Sequence, residues 1–426
     1  MRLTADTLAP RKPQTGSIDR WFRSRVLERL SGLRHGRLLI VDSLGETRLG
    51  EAHPAAGAPD VRLELLDAEA YARIATGGSI GAAEAWMEGL WHCDDLVGLV
   101  RLLVLNRELL DAMEGGMARA SGWLLGVVHA LRRNTRHGAR KNIAAHYDLG
   151  NALFQLFLCD ELMYSSAIFA SPDETLETAS RRKLERIGRK LDLQPGDHLV
   201  EIGTGWGGMA LYAARRFGCR VTTTTISKEQ HALASERIAR AGLSDRVTVL
   251  LEDYRDLSGR YDKLMSIEMI EAIGHQYLDT YLGKCASLLQ RDGLALLQAI
   301  TIEDHRYAQA LRSVDFIKRH VFPGSFIPSI SAITGAMARS SDLRLISQED
   351  FGPSYALTLR HWRQRFMGRL DEVRALGYDE RFIRLWMFYL AYCEGGFLER
   401  SIGVSQLLFA RPGNRREAWL PQPEVF

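Results

Sequence analysis

The stretch EIGTGWGG, Glu201 to Gly208, carries the densest chemical signal in the chain. Gly203, Gly205 and Gly208 satisfy a G-x-G-x-x-G pattern that follows an apolar run and opens a helix-like one. Glycines at such a turn let the backbone approach a ligand, while the amides of the following helix point into the site. Nicotinamide dinucleotides and S-adenosylmethionine both use that device. A dinucleotide site places Asp or Glu about 20 residues further on, at the end of the second strand, to bind a ribose hydroxyl. Here that strand ends TTTTIS, with no acid. Carboxylates stand instead at Glu201, before the glycines, and at Glu252 and Asp253, closing the third strand. A buried carboxylate suits the ammonium of a bound methionine group, and an acid on the third strand can accept from an adenine amine. That chemistry favours S-adenosylmethionine over NAD. The plain alternative is a set of glycines that only tightens a strand-to-helix turn.

Other reactive side chains give weaker signals. His146, His275 and His320 fit no zinc spacing, and none of the five cysteines forms a C-x-x-C pair, so no metal and no disulfide scaffold is expected. A net charge of +3 is too slight to imply nucleic acid. The longest apolar runs, such as Trp123–Val128, are too short to span a bilayer, and the polar first residues lack the apolar core of a secretory signal. The expected location is the cytoplasm.

The elements that must position these residues follow from periodicity. HLVEIG, CRVTTTTI, RVTVLLED, YDKLMSIEMI and GLALLQAITI read as five strands, with helices between them. Alternating strands and helices predict an α/β fold, a doubly wound and mostly parallel sheet. Residues after Glu303 read as mostly helical, broken by FPGSFIPS, with a last strand in SQLLFARP. Before Leu131, a helix, short strands and then a helical stretch from Asp67 to about Arg133 predict a small α+β domain. The basic, non-periodic LRRNTRHGARK, Leu131 to Lys141, marks the boundary: residues 1–135 form the first domain and 136–426 the second. It reads either as a solvated linker or as a contact for anionic lipid.

Several stretches taken together resemble the cyclopropane fatty acid synthase family: HYDLGN, MYSSAIF, VEIGTGWGG, TTTISKEQ, EDYRDL, SIEMIEAIGH, LLQAITI, DFIKRHVFPGSFIPS and the tyrosine of GPSYALTL. The resemblance runs from about Asn142 almost to the end, and GGSIGAAEAWMEGLW extends it into the N-terminal domain. It implies a Rossmann-like class I methyltransferase fold that binds S-adenosylmethionine through Tyr164, Ser165, Glu201, Gly203, Gly205, Thr225, Gln230, Asp253 and Tyr254. Thr225 and Gln230 then stand in for the missing ribose acid.

The resemblance also implies the reaction. A cis double bond in an unsaturated phospholipid acyl chain attacks the sulfonium methyl, and the resulting cation needs a dry cavity and a base. The family holds a bicarbonate ion as that base, and the matching residues are Glu271, Gln298, Ile300 through its backbone, Tyr355 and Ser166. Ser166 stands where many members have Cys, and Gln298 where many have His. Both keep hydrogen-bonding capacity, so an anion can still be bound. The expected product is a cyclopropane fatty acid. The alternative is a methyl- or methylene-branched chain made within a multi-enzyme pathway. Such an enzyme touches a membrane peripherally, on its inner face, and is compatible with a homodimer. A helical insertion at about 303–345, with Phe316, Phe322 and Phe326, is the expected wall of the lipid channel.

Overall fold

The computed structural model describes residues 16–53, 55–109 and 149–416. They pack as two units. The first comprises the described residues up to 109 together with 314–316 and 377–399; the second comprises 149–313, 317–376 and 400–416. The basic stretch read as the domain boundary lies outside the described residues.

The first unit is α+β. Strands β1 (Arg37–Asp42), β2 (Gly45–Gly50), β3 (Asp60–Leu65) and β4 (Trp91–Cys93) form one sheet in the order β2-β1-β3-β4. Strand β4 lies inside the stretch that periodicity assigned to helix. Trp91 and Cys93 are buried on alternate positions and pair with Leu65 and Leu63 of β3, a long-range pairing that local pattern does not report. A second departure concerns the helix Glu380–Leu398, which the sequence reading placed in the catalytic domain. It belongs to the first unit: Trp86 Nε1 donates to the Arg384 carbonyl at 2.9 Å, and Arg101 meets Glu399 at 2.6 Å. A Cβ on Gly395 would stand 2.7 Å from Val100 Cγ1, so glycine lets the two helices touch. Phe316, expected along the lipid channel, is instead buried here against Phe388, with ring centres 4.7 Å apart.

The second unit carries a seven-stranded sheet of β5 (His198–Ile202), β6 (Arg220–Thr224), β7 (Val247–Leu250), β8 (Tyr261–Ile267), β9 (Leu289–Ile302), β10 (Arg344–Asp350) and β11 (Ile402–Ala410). Their order is β10-β11-β9-β8-β5-β6-β7, parallel from β9 to β7 and antiparallel at β10 and β11. Consecutive residues point to opposite faces: Leu199, Met265 and Leu296 enter one core, Val200, Leu264 and Leu297 the other. Burial on both faces is what a doubly wound sheet requires. Strand β10 falls in the stretch after Glu303 that the sequence pattern reads as mostly helical. None of its residues is fully buried, and Arg344, Glu349 and Asp350 mark it as a charged edge strand, which masks the apolar signal.

This topology decides where a ligand can go. Strand β5 has β6 on one side and β8 on the other, so the chain reverses direction across the sheet beside it. The carboxyl ends of β5 and β8 therefore flank a topological switch point, the crevice in which open α/β sheets bind ligands. The glycine turn leaves β5, and the acidic stretch Glu268 to Glu271 leaves β8.

Candidate active site

At the turn, Gly205 has φ +51°, a left-handed conformation, and a Cβ added there would meet nothing within 4 Å. Gly208 serves a different need. A Cβ there would sit 2.3 Å from the Glu161 carbonyl oxygen, so glycine lets the segment before Tyr164 cross the helix start. From that crossing the chain runs through Tyr164, Ser165 and Ser166. A Cβ on Gly203 would lie 3.3 Å from Met269 Cγ. The turn and the acidic stretch after β8 are thus neighbours.

Glu201 lies inside the sheet and accepts from Thr223 Oγ1 at 2.6 Å. Burial pushes its carboxyl up to about 8. Thr225 donates to Gln230 Oε1 at 2.8 Å, so these two side chains are brought together as one neutral pair. Of the acids after β7, Glu252 is exposed and Asp253 is buried, held by both guanidinium donors of Arg255 at 2.8 and 2.7 Å. The Tyr254 hydroxyl is buried with no hydrogen-bond partner among the described residues. An open glycine turn, a buried acid and a spare hydroxyl fit the bound methionine and adenosine parts of S-adenosylmethionine. Tyr164 packs its ring edge-on against Phe154 and tilted against Trp362 and Phe322, with centres 5.2, 5.2 and 6.5 Å away, and Ser165 accepts from Lys183.

The five residues expected to hold an anion fall into two groups. Glu271 sits on the short turn Ile270–Ala272, and its Oε1 accepts from the Ile300 amide of β9 at 2.6 Å. Its Oε2 is buried without a partner among the described residues. Ser166, Gln298 and Tyr355 converge elsewhere, on a residue the sequence reading did not single out. Glu268 Oε1 accepts from the Ser166 amide at 2.9 Å and from Gln298 Nε2 at 2.8 Å, while Oε2 accepts from the Tyr355 hydroxyl at 2.6 Å. The Ser166 hydroxyl is turned to the Ala167 carbonyl. These three groups do not fit an added bicarbonate as they stand, because a protein carboxylate already takes their donors. Glu268 was visible in SIEMIE as the first residue past a strand, the position at which parallel sheets present ligand-binding groups.

Two half-buried acids this close in sequence act on each other's charge. Burial first, and then the charge of Glu268, push the Glu271 carboxyl up to about 8. Burial also raises Glu268, but its three donors and Lys183 oppose that shift. Near neutral pH, then, Glu271 keeps its proton, while the three donors and the Lys183 ammonium act to favour the ionised form of Glu268 against its burial. Lys183 is fully buried and lowered to about 8 by burial.

The profile described as mycolic acid cyclopropane synthetase matches residues 134–407. The chain belongs to that family. As a member it is an S-adenosylmethionine-dependent methyltransferase with the class I fold. It is 38% identical over 401 residues to a tuberculostearic acid methyltransferase of Mycobacterium tuberculosis, covering 92% of this chain and 91% of that one. It is 34% identical over 369 residues to the cyclopropane-fatty-acyl-phospholipid synthase of Escherichia coli K12, covering 86% and 91%. Among solved structures, the cyclopropane synthase MmaA2 of M. tuberculosis aligns with a TM-score of 0.60 at 29% identity, covering 64% of this chain and 98% of that one. Among the described residues no cluster of His, Cys, Asp or Glu could hold a metal ion, and no helix is long and apolar enough to cross a membrane.

Proposed function

We propose that this methyltransferase alkylates the cis double bond of an unsaturated phospholipid acyl chain and then removes a proton from the transferred methyl group, giving a cyclopropane fatty acid. The observation that carries this reading is a pair of half-buried acids, Glu268 and Glu271, beside the glycine turn, with Tyr355 on Glu268 and the rings of Trp362, Tyr164 and Phe154 packed in succession from it. When bound, S-adenosylmethionine supplies an electrophilic methyl group. The protein's part is to hold it through the turn, Glu201, Thr225, Gln230, Asp253 and Tyr254, to exclude water, and to take one proton. A carbocation that meets water is quenched, so aromatic walls that exclude water and a placed base matter together.

The tuberculostearic relative favours a second reading, in which the product is a methylene-branched chain that a separate reductase with a hydride donor would convert to the methyl-branched one. Both outcomes remove a proton from the same methyl group; a 1,2-hydride shift before that removal separates them. The test uses the purified protein, S-adenosylmethionine with a labelled methyl, and vesicles of monounsaturated phospholipid. Labelled fatty acid unchanged by mild hydrogenation supports the ring, labelled fatty acid that gains hydrogen supports the methylene product, and no labelled lipid refutes acyl-chain methylation.

A further inference from the structure

We propose that the Glu268 carboxylate is the resident base of this site, occupying the place of the external anion, so that turnover requires no bicarbonate. The inference rests on the lipid methylation proposed above and adds to it the group that takes the proton.

The donor set is the first observation. Three of the groups that would hold bicarbonate, the Ser166 amide, the Gln298 side-chain amide and the Tyr355 hydroxyl, all donate to Glu268. A carboxylate presents the same two coplanar acceptor oxygens as bicarbonate, so one substitutes for the other.

The direction of Gln298 is the second. Lys190 can only donate, and its ammonium gives one hydrogen bond to Gln406 Oε1 at 2.8 Å and another to Glu349 at 2.6 Å. Gln406 must then turn its NH2 outward, and it donates to Gln298 Oε1 at 3.1 Å. Gln298 is left with only its own NH2 to present, and that NH2 faces Glu268. A lysine fixed two amides away thus sets a donor at the pocket, which calls for an acceptor there, and the Glu268 carboxylate supplies it.

The backbone is the third. Glu268 has φ +48°, a left-handed conformation uncommon for any residue but glycine. Its amide is tied to the Gln298 carbonyl at 2.7 Å, in line with the pairing of Ile267 with Gln298. A non-glycine residue persists in such a region where its surroundings over-determine it, commonly at functional sites. The buried Lys183 ammonium favours the charged form of Glu268.

The electrons balance. The double bond's π pair forms the new carbon–carbon bond as the carbon–sulfur bond breaks, its pair remaining on sulfur. Glu268 accepts one proton from the new methyl group, and the electrons of that C–H bond close the ring. In the branched outcome they form the methylene double bond after the hydride shift. The proton then leaves Glu268 for solvent.

The experiment compares wild type with Glu268→Gly and Glu268→Gln, all full length, using S-adenosylmethionine and dioleoyl phosphatidylglycerol vesicles in CO2-depleted buffer, with and without sodium bicarbonate. Wild-type turnover should be the same in both buffers. Glycine suits the left-handed backbone, so Glu268→Gly should fold; it should lose about 100-fold in turnover without bicarbonate and recover much of it when bicarbonate is added. Glu268→Gln keeps the pocket filled without a base, and should lose turnover without rescue. Equilibrium dialysis with carbon-labelled bicarbonate gives a readout free of activity: saturable uptake by Glu268→Gly, none by wild type. Wild-type turnover that collapses on CO2 depletion, or saturable bicarbonate uptake by wild type, would overturn the proposal. A wild type that methylates no lipid refutes the function proposed above, while the dialysis still decides who occupies the pocket.

Discussion

Replacing Glu201 by Gln separates the cost of holding an acid in the sheet from its use. The folded carboxyl is raised to about 8 from an ordinary 4.5 by burial, so between those values the folded chain holds a proton that the unfolded chain releases. Stability from this group is therefore fully present below 4.5 and is lost as pH rises towards 8. At pH 7 the loss is about 2.5 pH units at about 1.4 kcal/mol each, on the order of 3 kcal/mol. Gln keeps an oxygen to accept from Thr223 Oγ1 and carries no titrating proton. It adds one buried N–H that needs a partner, which costs about 1 kcal/mol or more. The Gln variant should accordingly be about 2 kcal/mol more stable than wild type at pH 7 and no more stable at pH 4.5. Urea unfolding of both proteins at the two pH values measures the difference. A second readout follows if the carboxylate meets the ammonium of bound S-adenosylmethionine: wild type should release up to one proton on binding at pH 7, and Glu201→Gln none. Calorimetry in buffers of different ionisation enthalpy reads that release. Parallel loss of stability with pH in the two proteins would refute the assignment of a buried, protonated Glu201.

Other consequences follow from the same geometry. Glu271 is neutral near pH 7, so Glu271→Gln should keep at least about a tenth of wild-type turnover there, and should abolish the fall in activity expected of wild type as pH rises through about 8; a kcat profile from pH 6 to 9 tests both. Gln406→Leu takes a partner from the Lys190 ammonium and leaves Gln298 Oε1 unpaired, and should lower unfolding stability by about 3 kcal/mol, measured in urea. Gly205→Val places a β-branched residue at φ +51°, and should weaken S-adenosylmethionine binding by about tenfold or more in calorimetry; unchanged affinity would remove the turn from the cofactor site.

Residues with a local logic were legible before folding. The glycine turn announces itself because backbone approach and left-handed geometry are demands on single positions, and β5, β6, β8 and β9 announce themselves as apolar runs of strand length. Glu271 and Tyr355 were found through resemblance, and the structure places both among buried polar groups. Lys183 and Lys190 were missed, though the signal was present. They stand seven residues apart on the helix Leu176–Leu191, on the stripe that also carries Leu176, Ile187 and Leu191, and both are almost completely buried. In RRKLERIGRK two lysines among so many charges read as solvated.

The sequence by itself determined the alternation of strands and helices, the position of the turn and the kind of ligand it suits, since each depends on neighbours within a few residues. Only tertiary structure decided which acid meets which donor. Glu268 faces Gln298 because β8 and β9 pair in one register, Tyr355 arrives from a helix 87 positions away, and Gln298 is turned by an amide on β11. The docking of Glu380–Leu398 on the first unit and the pairing of β4 have the same character. Hydrogen bonds between distant segments obey strand register and packing, and periodicity in one chain carries no record of either.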